Sequence, residues 1–288
     1  MKKAFVFLCI VSFALIFVSF ASAQVNTNTA GFRGQSISGA TGLFGIPTGR
    51  VGWDKEKDFG LDFGYRAIIN NNAGVAHIPA ITMTLFKTIE LSSAFDIQPD
   101  IRYNYHPDNK RENNDFLFGL KIKLPTTPST AVALGGNVQM LNLSNNRYNY
   151  NAYQPYVAIT YMGNFFKMPA ETTIVFGKTF YSGGPSNNSN IDFGMGFDVI
   201  LFPDVFRNTV HWIIDFANFA YSDNAWPNHS THHSDAPHRG VMNTGFRLDL
   251  STIPALNKYK FNIDFIFNDL FDAGHRSFTI GAVFGLEI

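Results

Sequence analysis

The sequence has 288 residues, of which 22 are Lys or Arg and 22 are Asp or Glu, so its formal net charge is zero. A chain without an excess of basic residues has no positive electrostatic field to attract the phosphates of nucleic acid, so we exclude nucleic acid as a partner. Thirty residues are Phe, yet beyond the N-terminal stretch no apolar run reaches the ~18 residues that a membrane helix needs.

The first residues, MKKAFVFLCIVSFALIFVSFASAQ, combine two lysines, an apolar run and the small-residue ending Ala21-Ser22-Ala23. This pattern is typical of a secretory signal peptide, and we predict that residues 1–23 are removed before Gln24. An N-terminal membrane anchor is the weaker alternative, because no basic stop follows the apolar run. Cys9, the only cysteine, lies inside this signal, so no disulfide is expected in the exported chain.

Residues 24–57 are rich in glycine and turn formers, and we expect a periplasmic or plug-like segment ahead of a barrel at 58–288. This segment contains a Gly-x-x-Gly-Leu-x-x-x-Pro-Thr pattern. With the Gly60-to-Gly64 stretch that follows, it resembles the start of the YjbH-type barrels, outer-membrane proteins linked to surface-polysaccharide export. Stretches at 89–98, 116–124 and 239–250 resemble later strands of the same group. The residues of the pattern are Gly39, Gly42, Leu43, Pro47 and Thr48.

Twelve segments after residue 57 carry apolar residues at every second position, which is the period of a β-strand with one apolar face. In 190–201, Phe193, Met195 and Phe197 alternate with Asp and Gly. The segments are typically about 9 to 11 residues long, as a tilted strand needs to be to cross a bilayer. We predict strands at 58–66, 80–86, 89–97, 116–124, 131–141, 152–161, 172–181, 191–201, 209–219, 241–250, 259–267 and 277–288.

Alternation also occurs in soluble β-sandwiches, so it does not show whether the apolar faces contact lipid or a second sheet. The lengths of the connections between strands distinguish the two cases. Every second predicted connection, from 67–79 to 268–276, is long, with about 13 residues on average, and is rich in Asn, Ser, Gly and Pro; the others average about 7. Long loops at one end and short turns at the other are typical of outer-membrane barrels. Hydrocarbon cannot satisfy a bare N–H or C=O, so the strands must close into a ring.

We therefore predict an all-β fold, a closed antiparallel up-and-down transmembrane β-barrel of about twelve strands. A barrel of this size predicts a narrow or plugged lumen. Glycines at lumen-facing positions, such as Gly64 and Gly194, leave room inside, and the charged residues there have both signs, which favours acid–base pairing over an ion filter. The predicted lumen-lining residues are Asp62, Lys121, Lys123, Asp192, Asp198 and Asp264.

The last predicted strand keeps Phe278, Ile280, Phe284 and Ile288 on one face up to the final residue. It resembles the C-terminal signal that the outer-membrane assembly machinery recognises, with Ile288 in place of the usual aromatic residue. The resemblance implies that the barrel assembly machinery is a partner. A plain amphipathic strand is the alternative.

The loop 228–238, NHSTHHSDAPH, is the only cluster of chemically reactive side chains. Its His229, His232, His233 and His238 are weak metal candidates, because their spacing matches no defined zinc pattern. His232-His233-Ser234-Asp235 resembles the His-x-Ser-Asn element of outer-membrane acyl hydrolases, which implies His232 as base and Ser234 as nucleophile. A solvated loop without either function is the interpretation we favour.

The sequence thus predicts a bacterial outer-membrane barrel that is not an enzyme and needs no cofactor. Its function would be a porin-like channel, or an export or surface-associated barrel, with outer-membrane lipid and small solutes or a polysaccharide as partners. Two alternatives remain open, an outer-membrane acyl hydrolase of the phospholipase or lipid A deacylase kind and a soluble periplasmic β-sandwich binding protein.

Overall fold

The computed structural model describes residues 34–52, 57–70, 74–98, 113–141, 150–182, 191–219, 240–271 and 276–288. All paired strands in this part are antiparallel to their neighbours and belong to one sheet. Among these residues no helix is long and apolar enough to cross a membrane. The strands are β1 (Phe59–Asn70), β2 (Gly74–Leu85), β3 (Ile89–Gln98), β4 (Asn113–Leu124), β5 (Thr130–Leu141), β6 (Tyr150–Phe165), β7 (Met168–Gly177), β8 (Phe180–Ser182), β9 (Asp192–Ile200), β10 (Val210–Ala217), β11 (Val241–Asp249), β12 (Lys260–Asn268) and β13 (Ser277–Glu287).

The sheet closes on itself. β13 pairs with β1 over ten residue pairs, and β5 pairs with β6, so the wall strands among the described residues form a continuous ring. β7 and β8 both pair with β6 and are separated only by Lys178 and Thr179, so together they form one interrupted wall strand. The ring therefore has twelve positions, and the predicted closed antiparallel up-and-down barrel is confirmed.

The two faces of the wall have opposite chemistry. In β9, Asp192, Gly194, Gly196 and Asp198 point inward and are buried, whereas Phe193 and its alternate neighbours point outward. An apolar outer face with a polar interior matches a barrel surrounded by lipid and excludes the soluble sandwich. We conclude that this is a membrane-spanning barrel of the outer-membrane type. Exposed outward-facing residues include Phe63, Tyr65, Ile81, Met83, Phe118, Leu120, Ile122, Leu134, Val157, Ile159, Phe176, Phe246, Phe267, Ile280 and Phe284.

The predicted first connection, 67–79, is wrong. β1 continues to Asn70 and β2 begins at Gly74, with Ala67 opposite His77 in the ladder. The alternation disappears here because Ile68 is buried inside while Ile69 is exposed outside, so apolar residues occupy both faces. Pro79, which the prediction treated as part of the loop, lies in β2 opposite Tyr65 and faces outward.

Five connections between wall strands lie at one end of the barrel. They are 86–88, 125–129, 166–167, 201–209 and 250–259; the last two contain a short helix (Pro203–Phe206) and a 3-10 turn (Leu250–Thr252). The start of β1 and the end of β13 lie at this same end. We call it the turn side. Long connections at the other end fall largely outside the described residues.

Because the outer face of the wall is apolar, a charged side chain placed on it should lower the stability of the protein in lipid. Leu134 lies near the middle of β5 and is 48% exposed. Leu134→Arg should lower the free energy of unfolding in phospholipid bilayers by about 2–4 kcal/mol, because it places a cation in hydrocarbon. Urea titrations in large vesicles would measure this, with Leu134→Met as the control. An arginine tolerated as well as methionine would mean that this face does not meet lipid.

Candidate functional site in the barrel interior

Residues 34–52, which we call the interior segment, lie inside the ring of strands. Ile37, Leu43, Phe44 and Ile46 are all at most 4% exposed, although this segment forms no strand of the wall. The segment instead makes hydrogen bonds to inward-facing side chains of several wall strands. The lumen is therefore filled at this level by the protein's own chain.

The segment is folded by hydrogen bonds within its own main chain. Gly42 bridges to Pro47, and the Leu43 N–H donates to the Ile46 carbonyl at 3.0 Å. The Thr48 N–H donates to the Thr41 carbonyl at 3.0 Å. Gly39 has φ of 86°, a left-handed conformation, and a Cβ there would lie 2.7 Å from the Ser93 carbonyl oxygen. The residues of the sequence motif thus build one compact turn inside the barrel.

Asp215 of β10 anchors the tip of this turn. Its Oδ2 accepts hydrogen bonds from the Phe44 and Gly45 N–H groups, both at 2.8 Å. Its Oδ1 accepts from Asn243 Nδ2 at 2.8 Å. A carboxylate that accepts from two successive main-chain donors makes charge-assisted hydrogen bonds, which are stronger than neutral ones.

Glu90 of β3 anchors the two ends of the same turn. Its carboxylate accepts from the Thr41 N–H at 2.8 Å, from Thr41 Oγ1 at 2.5 Å and from the Gly52 N–H at 3.0 Å. Lys121 of β4 pairs with Glu90 at 2.9 Å and donates to the Thr41 carbonyl at 3.0 Å.

The two anchoring carboxylates lie on opposite walls. In the strand order around the ring, β3 and β10 are separated by the same number of strands in both directions. The interior segment therefore spans the lumen and is held at both ends of one diameter. A third contact, from the Gly49 N–H to Thr160 Oγ1 at 2.9 Å, joins it to β6.

Glycines in the wall make room for the segment. The Cβ position of Gly194 lies 2.7 Å from Ile46 Cγ2, and that of Gly196 lies 2.5 Å from Leu43 Cδ1. A larger residue at either position would overlap the segment. The space that these inward glycines leave is occupied by apolar side chains of the interior segment.

Arg247 of β11 is the centre of a buried ionic network. It binds Asp264 through two hydrogen bonds, at 2.7 and 3.1 Å, and lies 3.9 Å from Asp198. Arg247 also donates to the Gly42 carbonyl at 3.3 Å, so the network supports the interior segment. Asp198 in turn contacts His211 at 2.6 Å, and Asp264 lies 3.8 Å from Arg66 across β13. The charges are compensated by pairing between strands, as a buried network requires.

The six residues predicted to line the lumen all occupy inward positions. Asp62 is buried and pairs with Lys260 at 2.6 Å, and Asp192 accepts from Gln154 Nε2 at 2.7 Å. Lys123 occupies an inward position of β4, opposite the buried Ala133. Lys121, Asp198 and Asp264 belong to the contacts described above.

Of the wall residues that hold the segment, Lys121 was predicted to line the lumen, whereas Glu90, Asp215 and Arg247 were not singled out from the sequence. Glu90, Asp215 and Arg247 fall at inward positions of predicted strands, so the two-residue period could have placed them in the lumen. Their partners could not be found in this way, since Asp215 and Phe44 are 171 positions apart.

The histidine-rich loop lies outside the described residues, and with it His229, His232, His233, Ser234 and His238. Within the described ranges, no group of three or more His, Cys, Asp or Glu residues could hold a metal ion. The hydrolase and metal hypotheses for this loop therefore stay predictions.

No protein-family model matches the chain, and no curated protein matches it. Solved structures with a similar fold include a KdgM porin in complex with disordered oligogalacturonate, with 8% identity and a TM-score of 0.46 over 79% of this chain and 99% of that chain. LpxR from Salmonella typhimurium has 10% identity and a TM-score of 0.46 over 80% and 100%. The outer-membrane protein Omp33 of Acinetobacter baumannii has 11% identity and a TM-score of 0.43 over 81% and 99%.

The ionic network predicts a large cost for removing its central cation. Arg247→Met should lower the free energy of unfolding by about 3–5 kcal/mol, because the Asp264 and Asp198 carboxylates lose a buried partner. Adding Asp264→Asn should recover part of this loss. The exposed Lys258→Met should stay within about 0.5 kcal/mol of wild type. Urea unfolding in detergent micelles measures all of them, and equal stability of the two single variants would contradict the network's role.

Proposed function

We propose that the protein is an outer-membrane barrel through which hydrated polar solutes pass. The interior segment keeps the lumen of this barrel closed. The observation that carries this proposal is the attachment of the segment, which packs its apolar side chains inside the ring and is held by hydrogen bonds to side chains such as Asp215 and Glu90, but is not a strand of the wall. Water can replace these hydrogen bonds one by one, whereas strand pairing within lipid has no substitute. The segment can therefore leave the lumen without opening the ring.

The interior chemistry supports a polar cargo. Amide, hydroxyl and carboxylate groups face inward from the wall, for example Asn137, Gln154, Thr179 and Asp192. Such groups suit small hydroxylated solutes or a polysaccharide strand. The resemblance of the N-terminal motif to YjbH-type barrels supports the polysaccharide form of this proposal.

Partners outside the lumen are part of the same proposal. Outer-membrane lipid is expected around the exposed apolar face. The barrel assembly machinery is expected to recognise β13, where Ile280 and Phe284 face outward next to the seam with β1.

Conductance in planar lipid bilayers tests the passage function. Asp215→Asn removes the charge that holds the Phe44 and Gly45 N–H groups, so the open fraction should rise at least several-fold above wild type. Asp192→Asn is the matched control, because Asp192 is also an inward carboxylate but bonds to wall residues Gln154 and Thr179.

A disulfide can show that the segment itself is the gate. Ile46 Cγ2 lies 2.7 Å from the Cβ position of Gly194, which places the two Cβ atoms within about 4 Å, a distance suited to a disulfide. Ile46→Cys with Gly194→Cys, added to Asp215→Asn, should abolish the openings under oxidation and restore them on reduction. Channel openings that persist when the disulfide is formed would refute gating by the segment. The absence of openings in every variant would favour a permanently closed, surface-associated barrel.

The hydrolase alternative needs its own measurement. Ser234→Ala should leave phospholipid and lipid A deacylation by purified outer membranes unchanged if the protein is not an enzyme. Loss of a deacylated product in this variant alone would establish the enzyme and displace the passage function.

A further inference from the structure

Two short turns on the turn side are built from residues that the turn geometry disfavours. Phe86 and Lys87 have φ of 53° and 54°, and Phe166 and Lys167 have φ of 44° and 69°. Two consecutive left-handed residues form the hairpin turn that Asn-Gly adopts at least cost. A bulky aromatic residue in this conformation is strained, so folding alone does not explain the Phe-Lys choice.

The aromatic rings of these turns are strongly exposed and continue the lipid-facing surface. Phe166 is 83% exposed and Phe86 is 59% exposed. Phe86 packs edge to face on Phe59 at 5.3 Å, and Phe166 packs on Phe165 at 4.7 Å. Both Phe59 and Phe165 occupy outward positions of their strands, so the turn phenylalanines extend the apolar face past the ends of the strands.

A third turn, between β9 and β10, also combines an exposed phenylalanine with a basic residue, although its backbone conformation differs. Phe202 (φ 42°) is 58% exposed, packs against Phe206 at 6.3 Å and is followed by the exposed Arg207. Exposed basic side chains outnumber exposed acidic ones at this end of the described chain. The exposed basic residues of the turn side are Lys57, Lys167, Arg207 and Lys258, with Lys87 half-buried; its exposed acidic residues are Asp58 and Asp204, with Asp249 and Glu287 half-buried.

The arrangement around the ring indicates what covers these groups. The β2–β3 turn and the β9–β10 turn lie on opposite sides of the barrel, and the β6–β7 turn lies between β5 and β9. A single protein partner would contact one side of the barrel, whereas lipid surrounds it. Exposed aromatic rings beside cations match the boundary between acyl chains and anionic headgroups.

We propose that the turn side forms a phospholipid-binding rim. The phenylalanines of the Phe-Lys turns enter the acyl-chain boundary, and Lys87, Lys167 and Arg207 bind headgroup phosphates of the inner leaflet. The strain in the turns is retained because Asn-Gly would fold well but would bind no lipid. The rim would fix the depth and tilt of the barrel, independently of whether the lumen conducts.

Replacement of both turns by Asn-Gly tests this proposal. The full chain carrying Phe86→Asn, Lys87→Gly, Phe166→Asn and Lys167→Gly is compared with wild type in uncharged detergent, with phosphatidylglycerol added stepwise. Native mass spectrometry counts the bound lipids, and thermal unfolding reports stability. Arg276→Gln, which removes one cation from the opposite end, is the control.

We expect the variant to differ from wild type in two measurements, the unfolding temperature without lipid and the affinity for phosphatidylglycerol. The Asn-Gly variant should unfold at a higher temperature than wild type without lipid, and its affinity for phosphatidylglycerol should fall about tenfold, while the control matches wild type. Unchanged lipid binding would overturn the proposal and leave the rim to a protein partner. Lower stability without lipid would also overturn it, because the turns would then serve folding.

Discussion

The structure depends on one constraint, that every main-chain N–H and C=O in hydrocarbon must find a partner within the protein. Pairing of β13 with β1 meets it by removing the last two free edges of the sheet. Once the ring is closed, the side-chain period of two separates the chemistry of the wall into an apolar outside and a polar inside. The seam therefore creates the interior in which the N-terminal residues are held.

Inside the ring, buried ion pairs join the wall strands alongside the apolar contacts of the interior segment. Arg247 and Asp264 pair between neighbouring strands, and Arg66 reaches Asp264 across Gly281 of β13, whose Cβ would lie 2.9 Å from Arg66 Cγ. These contacts compensate the buried charges of the wall. Arg247 also donates to the Gly42 carbonyl of the interior segment, so the same network that compensates the wall charges supports the segment.

The fold was largely predictable because alternation is a local property of the sequence. All twelve wall strands were anticipated. The predicted connections failed at 67–79, where Ala67, Ile68 and Ile69 make both faces apolar, and at 162–171, where β6 runs to Phe165 and β7 begins at Met168. The candidate site was only half predictable. Inward positions follow from the period, but the partners of Glu90 and Asp215 depend on a segment without any period, brought to them by closure of the ring.

The interior segment has a mechanical consequence for the cylinder around it. A ring of twelve strands can flatten into an oval at little cost, since its hydrogen bonds only bend. Glu90 and Asp215 join opposite ends of one diameter through a compact, internally bonded turn, so the walls along that diameter cannot separate while the turn is seated. Removal of the segment would therefore soften the cross-section of the barrel as well as empty it.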